Sequence, residues 1–252
     1  MEGEHKEILT FKLGPTSNNQ VLYFFGVSHT NNPKHPQFEQ IQKLWTEFLN
    51  DSKGERIVFV EGRIQKTLST YEESINQYGE GGGIQWLARQ SDIEMLRPEP
   101  DDRKQRELLC GLYDTNDVAY TMIVQSLAGW FRHIRQSTFE EAINKSTERE
   151  SKFSDIYKFV VDGSWFLNQH KKIFGEQSLE DKQFLDLISD PRRGDTLINN
   201  IVSSRTKIRN EFILLEIKKA WESQKSVFIV YGSGHLSALE LELKKLINNN
   251  NL

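Results

Sequence analysis

The chain has 252 residues, a net charge of −4 and a hydrophobic fraction of 37%, with five Trp and fifteen Phe, enough apolar mass for a sizeable core. Lys and Arg are interspersed with Asp and Glu and form no basic stripe, which argues against a nucleic-acid partner. A single cysteine, Cys110, excludes an internal disulfide and suits a reducing, cytoplasmic setting.

Residues 1–6 (M-E-G-E-H-K) lack an apolar segment, so no signal peptide is expected there. No run approaches the roughly 18 apolar residues that span a bilayer, so no membrane partner is expected either. Residues 7–13 read as an edge strand, with Thr10 and Lys12 alternating against apolar neighbours. A turn rich in Pro, Ser and Asn follows over residues 14–20. Residues 21–25 (V-L-Y-F-F) are the first continuous apolar run, the pattern of a strand buried on both faces. Gly26-Val27-Ser28-His29 comes directly after it. Phe38, Ile41, Leu44, Trp45, Phe48 and Leu49 then recur at helical spacing. Residues 56–60 form the next strand and end at Glu61-Gly62, so the segment reads as a β-α-β unit.

Residues 79–83 (G-E-G-G-G) predict a flexible, substrate-facing loop, with a helix over residues 84–90. They lack the Gly-Lys-Ser/Thr of a phosphate-binding loop, which argues against nucleotide binding. A short strand over 93–96 leads into Arg97-Pro98-Glu99-Pro100. Residues 102–224 hold no buried strand and predict helices over about 102–113, 116–135, 138–150, 153–171, 178–189 and 196–224. Cys110, in the apolar stretch L-L-C-G-L, reads as a buried inert thiol. Trp130, Phe131, Trp165, Phe166 and Trp221 read as core, and His133 and His170 as surface or partly buried side chains without a catalytic role. His5 and His35 lie in polar segments. Residues 227–231 (V-F-I-V-Y) return to the sheet and precede Gly232-Ser233-Gly234-His235. An amphipathic helix over 236–247 closes the pattern.

These elements predict a single α/β domain over residues 1–252. Its central sheet is mixed but largely parallel and flanked by helices, with a helical block at 102–224 inserted before the last strand. Two apolar strands each end in G-x-x-H. With sixteen Gly and six His, on the order of 0.4 chance matches to that pattern are expected in the whole chain. Open α/β sheets place their ligands at the carboxyl ends of strands. His29, Glu61 and His235 are therefore expected to share one edge of the sheet. Two imidazoles and a carboxylate are the usual ligands of a catalytic zinc, manganese or similar divalent ion. Such an ion activates water and polarises a carbonyl. Without a metal, the same groups serve as a general base and its orienting partner. Glu80 and Glu99 are accessory candidates for substrate binding. Arg209, beside Arg205 and Lys207, reads on its own as part of a solvated helix face.

Read together, these motifs resemble the superfamily that joins the TraB/PrgY proteins, the TIKI proteases, the ChaN-like haem-binding lipoproteins and the erythromycin esterases. The residues that carry the resemblance are Gly26–His29, Glu61, the Arg209-Asn210 pair and Gly232–His235, in that order. It covers about residues 20–100 and 200–245, and its Gly-rich stretch is similar to that of the esterase and ChaN branch. The resemblance implies a hydrolase acting on an ester or amide bond of a small-molecule or peptide substrate, and it raises Arg209 to an oxyanion-stabilising site residue. The ChaN-like branch implies an alternative, a haem- or small-molecule-binding module without turnover. Departures are the absent export signal, the absent membrane helices and Val27-Ser28 before His29, where the esterase branch prefers a Glu.

Overall fold

The computed structural model describes residues 9–66, 68–132 and 137–248. Among them, five strands form one sheet in the order β1-β2-β5-β3-β4. The strands are β1 (Leu9–Leu13), β2 (Leu22–Val27), β3 (Arg56–Val60), β4 (Glu94–Leu96) and β5 (Ser226–Gly232). β1 runs antiparallel to β2, and every other neighbour is parallel. The expected mixed, largely parallel α/β sheet is therefore present. His5 and His133 lie outside the described residues.

The chain divides into two compact units, one of residues up to Glu99 together with those from Asn210 onward, the other Pro100–Arg209. The first unit contains the sheet. Its continuous apolar strands are explained by cover on both faces. Tyr23, Phe25, Val58, Val60, Phe228 and Val230 pack toward α1 (Pro36–Asp51) and α2 (Tyr71–Gln90), meeting Phe38, Trp45, Phe48, Ile75 and Ile84. Leu22, Phe24, Ile57, Phe59, Ile229 and Tyr231 point the other way. They meet Ile213, Ile217 and Trp221 of α9 (Leu197–Glu222) and Leu236, Leu239 and Leu243 of α10 (Ser233–Asn248). The Phe228 ring stands edge-on to both Trp45 and Phe48, each at 5.2 Å.

β5 arrives about two hundred residues after β2, and polar contacts pin it in place. The Gln20 amide donates to the carbonyls of Trp221 (2.8 Å) and Lys225 (3.0 Å), holding the end of α9. The Val21 N–H donates to the Ser226 hydroxyl at 3.2 Å. The expected β-α-β unit thus leaves a gap between β2 and β3, and β5 fills it.

The Gly-rich stretch departs from the loop expected for it. Residues 79–83 lie inside α2, which Thr70 starts by accepting from the Glu73 N–H. α2 is not straight: Gly79 takes φ 62° and ψ −149°, a left-handed conformation that breaks the helix direction. The kink brings Gly82 so close to the preceding turn that a Cβ there would lie 2.1 Å from the Ser74 carbonyl oxygen. Glycine here is therefore a packing requirement rather than a sign of a loop.

The second unit is helical: α3 (Asp102–Cys110), α4 (Thr115–Arg132), α5 (Phe139–Ser151), α6 (Ser154–Tyr157), α7 (Gly163–Phe174), α8 (Lys182–Ile188) and the first part of α9. The single helix expected over 153–171 is two. Lys158 adopts φ 68° after α6, and Asp162 caps α7 by accepting from the Trp165 N–H at 2.7 Å. The β-branched pair Val160-Val161 before a capping Asp disfavours continuous helix. Arg106 and Glu150 are buried and paired through two bonds of 2.7 and 2.5 Å, and the Tyr157 hydroxyl donates to Glu150 at 2.8 Å. His170 is buried and bonded on both nitrogens, to the Tyr120 hydroxyl and the Gln177 carbonyl, each at 2.6 Å. Among the described residues no helix is long and apolar enough to cross a membrane.

Candidate functional site

Register aligns the carboxyl ends of three parallel strands. Val27 pairs with Gly232 across β2 and β5, and Val60 pairs with Val230 across β3 and β5. The Glu61 N–H continues this ladder, donating to the Val230 carbonyl at 3.3 Å. His29 leaves the end of β2, Glu61 the end of β3, and His235 lies in the first turn of α10 directly after β5. Three apolar strands thus carry their polar terminal residues to one edge, as their common strand-then-polar pattern predicts.

Glu61 is the centre of the cluster. One of its oxygens, Oε2, accepts from the Gly232 N–H at 2.7 Å, which fixes the carboxylate in place. His29 Nε2 lies 3.9 Å from Oε2, and His235 Nε2 lies 3.7 Å from Oε1. Each imidazole therefore faces a different oxygen of the same carboxylate. Gly232 makes this possible by having no side chain, since a Cβ there would stand 3.1 Å from His29 Nε2 and 3.4 Å from Glu61 Oε2.

The far side of each ring is occupied. His29 Nδ1 is hydrogen-bonded to Glu80 Oε1, and the other Glu80 oxygen accepts from the Thr30 N–H at 3.4 Å. His235 Nδ1 is bonded to Asn210 Oδ1 at 2.5 Å. The His235 ring also stands edge-on to Tyr231 at 5.4 Å. The two imidazoles differ in exposure: the His29 side chain is 50% accessible and that of His235 only 8%.

The structure thus unites His29, Glu61 and His235, with Glu80 directly behind His29. Glu99 follows β4 and pairs with Arg97 at 3.4 Å. Arg209 stands one residue before Asn210 on α9. Asn210 is the site residue that sequence reasoning passed over, although the Arg209-Asn210 pair was the available signal. Glu80, expected as an accessory substrate-binding residue, is bonded in the structure to His29, a contact that depends on the kink at Gly79.

The donor set suits a divalent cation by chemistry: two imidazole nitrogens and a carboxylate. His29, Glu61 and His235 are the residues that would hold such an ion, with the two imidazoles 3.9 and 3.7 Å from the Glu61 oxygens. Among the described residues no group of three His, Cys, Asp or Glu side chains is already drawn together as a metal cage. Comparison with known proteins returns no match, whether to a family model, a curated protein or a solved structure.

Proposed function

We propose that this chain is a hydrolase that activates water at the His29, Glu61 and His235 cluster and cleaves an ester or amide bond in a small-molecule or peptide substrate. The observation that carries the reading is the convergence of both Nε2 atoms on the two oxygens of Glu61, at 3.9 and 3.7 Å. Those separations exceed a direct hydrogen bond. Two imidazole nitrogens facing one carboxylate make a donor set that suits a shared cation or water. The order of the G-x-x-H, Glu, Arg-Asn and G-x-x-H elements along the chain supports membership of the superfamily that it resembles.

His29, Glu61 and His235 would hold the ion, zinc or manganese being the natural candidates. When bound, it would lower the pKa of a water toward about 7 and polarise the substrate carbonyl. The protein supplies the rest. Glu61, held by the Gly232 N–H, places its carboxylate at the centre of the site. The half-exposed His29 offers the side on which a substrate can approach. The resemblance implies that Arg209, which adjoins Asn210 in the chain, would be the guanidinium that stabilises the developing oxyanion. A single cysteine fits a cytoplasmic setting, and the dispersed charges fit a small substrate rather than nucleic acid.

The His29–Glu80 pair favours a second reading without metal. A carboxylate behind an imidazole stabilises its protonated form, so His29 could take a proton from water directly. Metal analysis of purified protein and hydrolysis of an ester and peptide panel separate the two. The metal reading expects near-stoichiometric zinc or manganese, loss of rate with chelator and loss of both metal and rate in His29→Ala and His235→Ala. Unchanged rates in chelator would leave the metal-free reading. A coloured protein with a Soret band and no turnover would overturn both in favour of haem binding.

A further inference from the structure

We propose that Glu80 and Asn210 are positioning residues that set the tautomer of the two imidazoles, holding both Nε2 lone pairs toward Glu61. A carboxylate oxygen and an amide oxygen only accept hydrogen bonds. The ring nitrogen that faces each of them must therefore carry the proton. His29 Nδ1 faces Glu80 Oε1, and His235 Nδ1 faces Asn210 Oδ1 at 2.5 Å. In a neutral imidazole the proton on Nδ1 leaves Nε2 as the bare lone pair. Both bare nitrogens then point at the two oxygens of Glu61. The opposite tautomer would set a lone pair against an oxygen on each far side. The inference rests on the hydrolase reading only for the claim that the Glu61 side is where the chemistry occurs.

The fold builds this arrangement deliberately at Glu80. Gly79 breaks α2 one residue before it, and a Cβ at Gly79 would crowd Asn31 Oδ1 at 3.1 Å and the Thr30 carbonyl at 3.2 Å. The kinked helix therefore lies directly against the loop that carries His29. Two further bonds stitch them: the Asn31 amide donates to the Asn76 carbonyl at 3.2 Å, and the Thr30 N–H donates to Glu80 Oε2 at 3.4 Å. Both oxygens of Glu80 are thus engaged on the His29 loop, which is the work of an orienting group. Asn210 does the same for His235 from α9, and its neutral amide adds no charge beside a buried ring. Partners that hold the second nitrogen of a ligating imidazole commonly change metal affinity by about 10–100-fold when removed.

The test is a long-range proton–nitrogen correlation on histidine-labelled, metal-free protein at about pH 8, where an unperturbed imidazole is neutral, with resonances assigned by single His→Gln variants. Wild-type protein is expected to show His29 and His235 as Nδ1–H tautomers, and an Nε2–H signature for either would overturn the proposal without any variant at Glu80 or Asn210. Glu80→Ala should release His29 alone to a mixture, and Asn210→Ala should release His235 alone. Glu80→Gln and Asn210→Asp, which still accept, should restore the wild-type tautomers. Unchanged tautomers in both alanine variants would overturn the proposal. Visible titration with Co²⁺ supplies the second readout, with binding weakened about 10–100-fold in the alanine variants and recovered in the conservative ones. Tautomers that shift as expected in a protein that binds no Co²⁺ would uphold the positioning role and count against the metal-dependent reading.

Discussion

A single atom can decide what the site holds. Gly232 borders His29 and Glu61 so closely that Gly232→Ala would place a methyl 3.1 Å from His29 Nε2. On the proposed metal-dependent reading, this variant is expected to keep its far-ultraviolet circular dichroism spectrum while losing at least about 10-fold in zinc affinity by calorimetry, because the methyl crowds two of the side chains that would hold the ion. Cys110 shows the opposite influence of environment. Burial pushes its thiol up to about 11 from an ordinary value near 9, so the reactive thiolate is scarce. At pH 8 its reaction with a disulfide reagent should be about 100-fold slower than that of the same thiol in denaturant, a difference that narrows as pH rises toward the folded value. Equal rates in the two states would contradict an inert thiol; the side chain is partly buried rather than fully buried as its apolar neighbours suggest. The adjacent Arg106–Glu150 pair is almost wholly buried, with 1% of each side chain exposed. Glu150→Ala strands a guanidinium and should cost about 3–5 kcal/mol in chemical denaturation, far more than the loss of an exposed pair.

Among the elements, α2 departs furthest from its local composition. Five residues rich in glycine suggest a loop, yet here they continue a helix through a kink. The neighbouring glycines carry opposite expectations. A Cβ at Gly82 would meet the Ser74 backbone oxygen at 2.1 Å, whereas at Gly81 the nearest atom is the Glu61 carbonyl oxygen at an ordinary 3.5 Å. Gly82→Ala should therefore destabilise the protein by about 1–3 kcal/mol or more. Gly81→Ala should be neutral or raise stability by up to about 1 kcal/mol, since alanine favours helix. Thermal melts of the two variants check the pair, and equal shifts would show that α2 is not kinked as described.

At the scale of the whole molecule, the sheet is completed last along the chain. β5 lies between β2 and β3, so the middle strand of the sheet comes from residues 226–232. β5 pairs with the inner edges of both β2 and β3, and one of the two apolar faces takes part of its cover from α10. A chain ending at residue 225 should show no cooperative unfolding of the sheet unit and should bind apolar dyes, because the strands that remain expose edges and uncovered faces. A cooperative transition in that truncated chain would place the organising core elsewhere.

The sequence by itself determined the five strands and most of the helices, since burial on both faces requires continuous apolar runs and burial on one face requires helical spacing. The two G-x-x-H turns and Glu61 were legible for the same reason: each follows a run whose end is marked by glycine or by an abrupt change to polar residues. The turn at Lys158 and the kink at Gly79 were not legible, because each depends on a neighbour distant in the sequence or on a capping geometry that competes with helix. Only the tertiary structure decided that β5 enters between β2 and β3. That insertion sets His29 and His235 against opposite oxygens of one carboxylate. It alone also gave Glu80 and Asn210 their partners, because a hydrogen bond between residues fifty or twenty-five positions apart is a property of how helices pack, which no local pattern encodes.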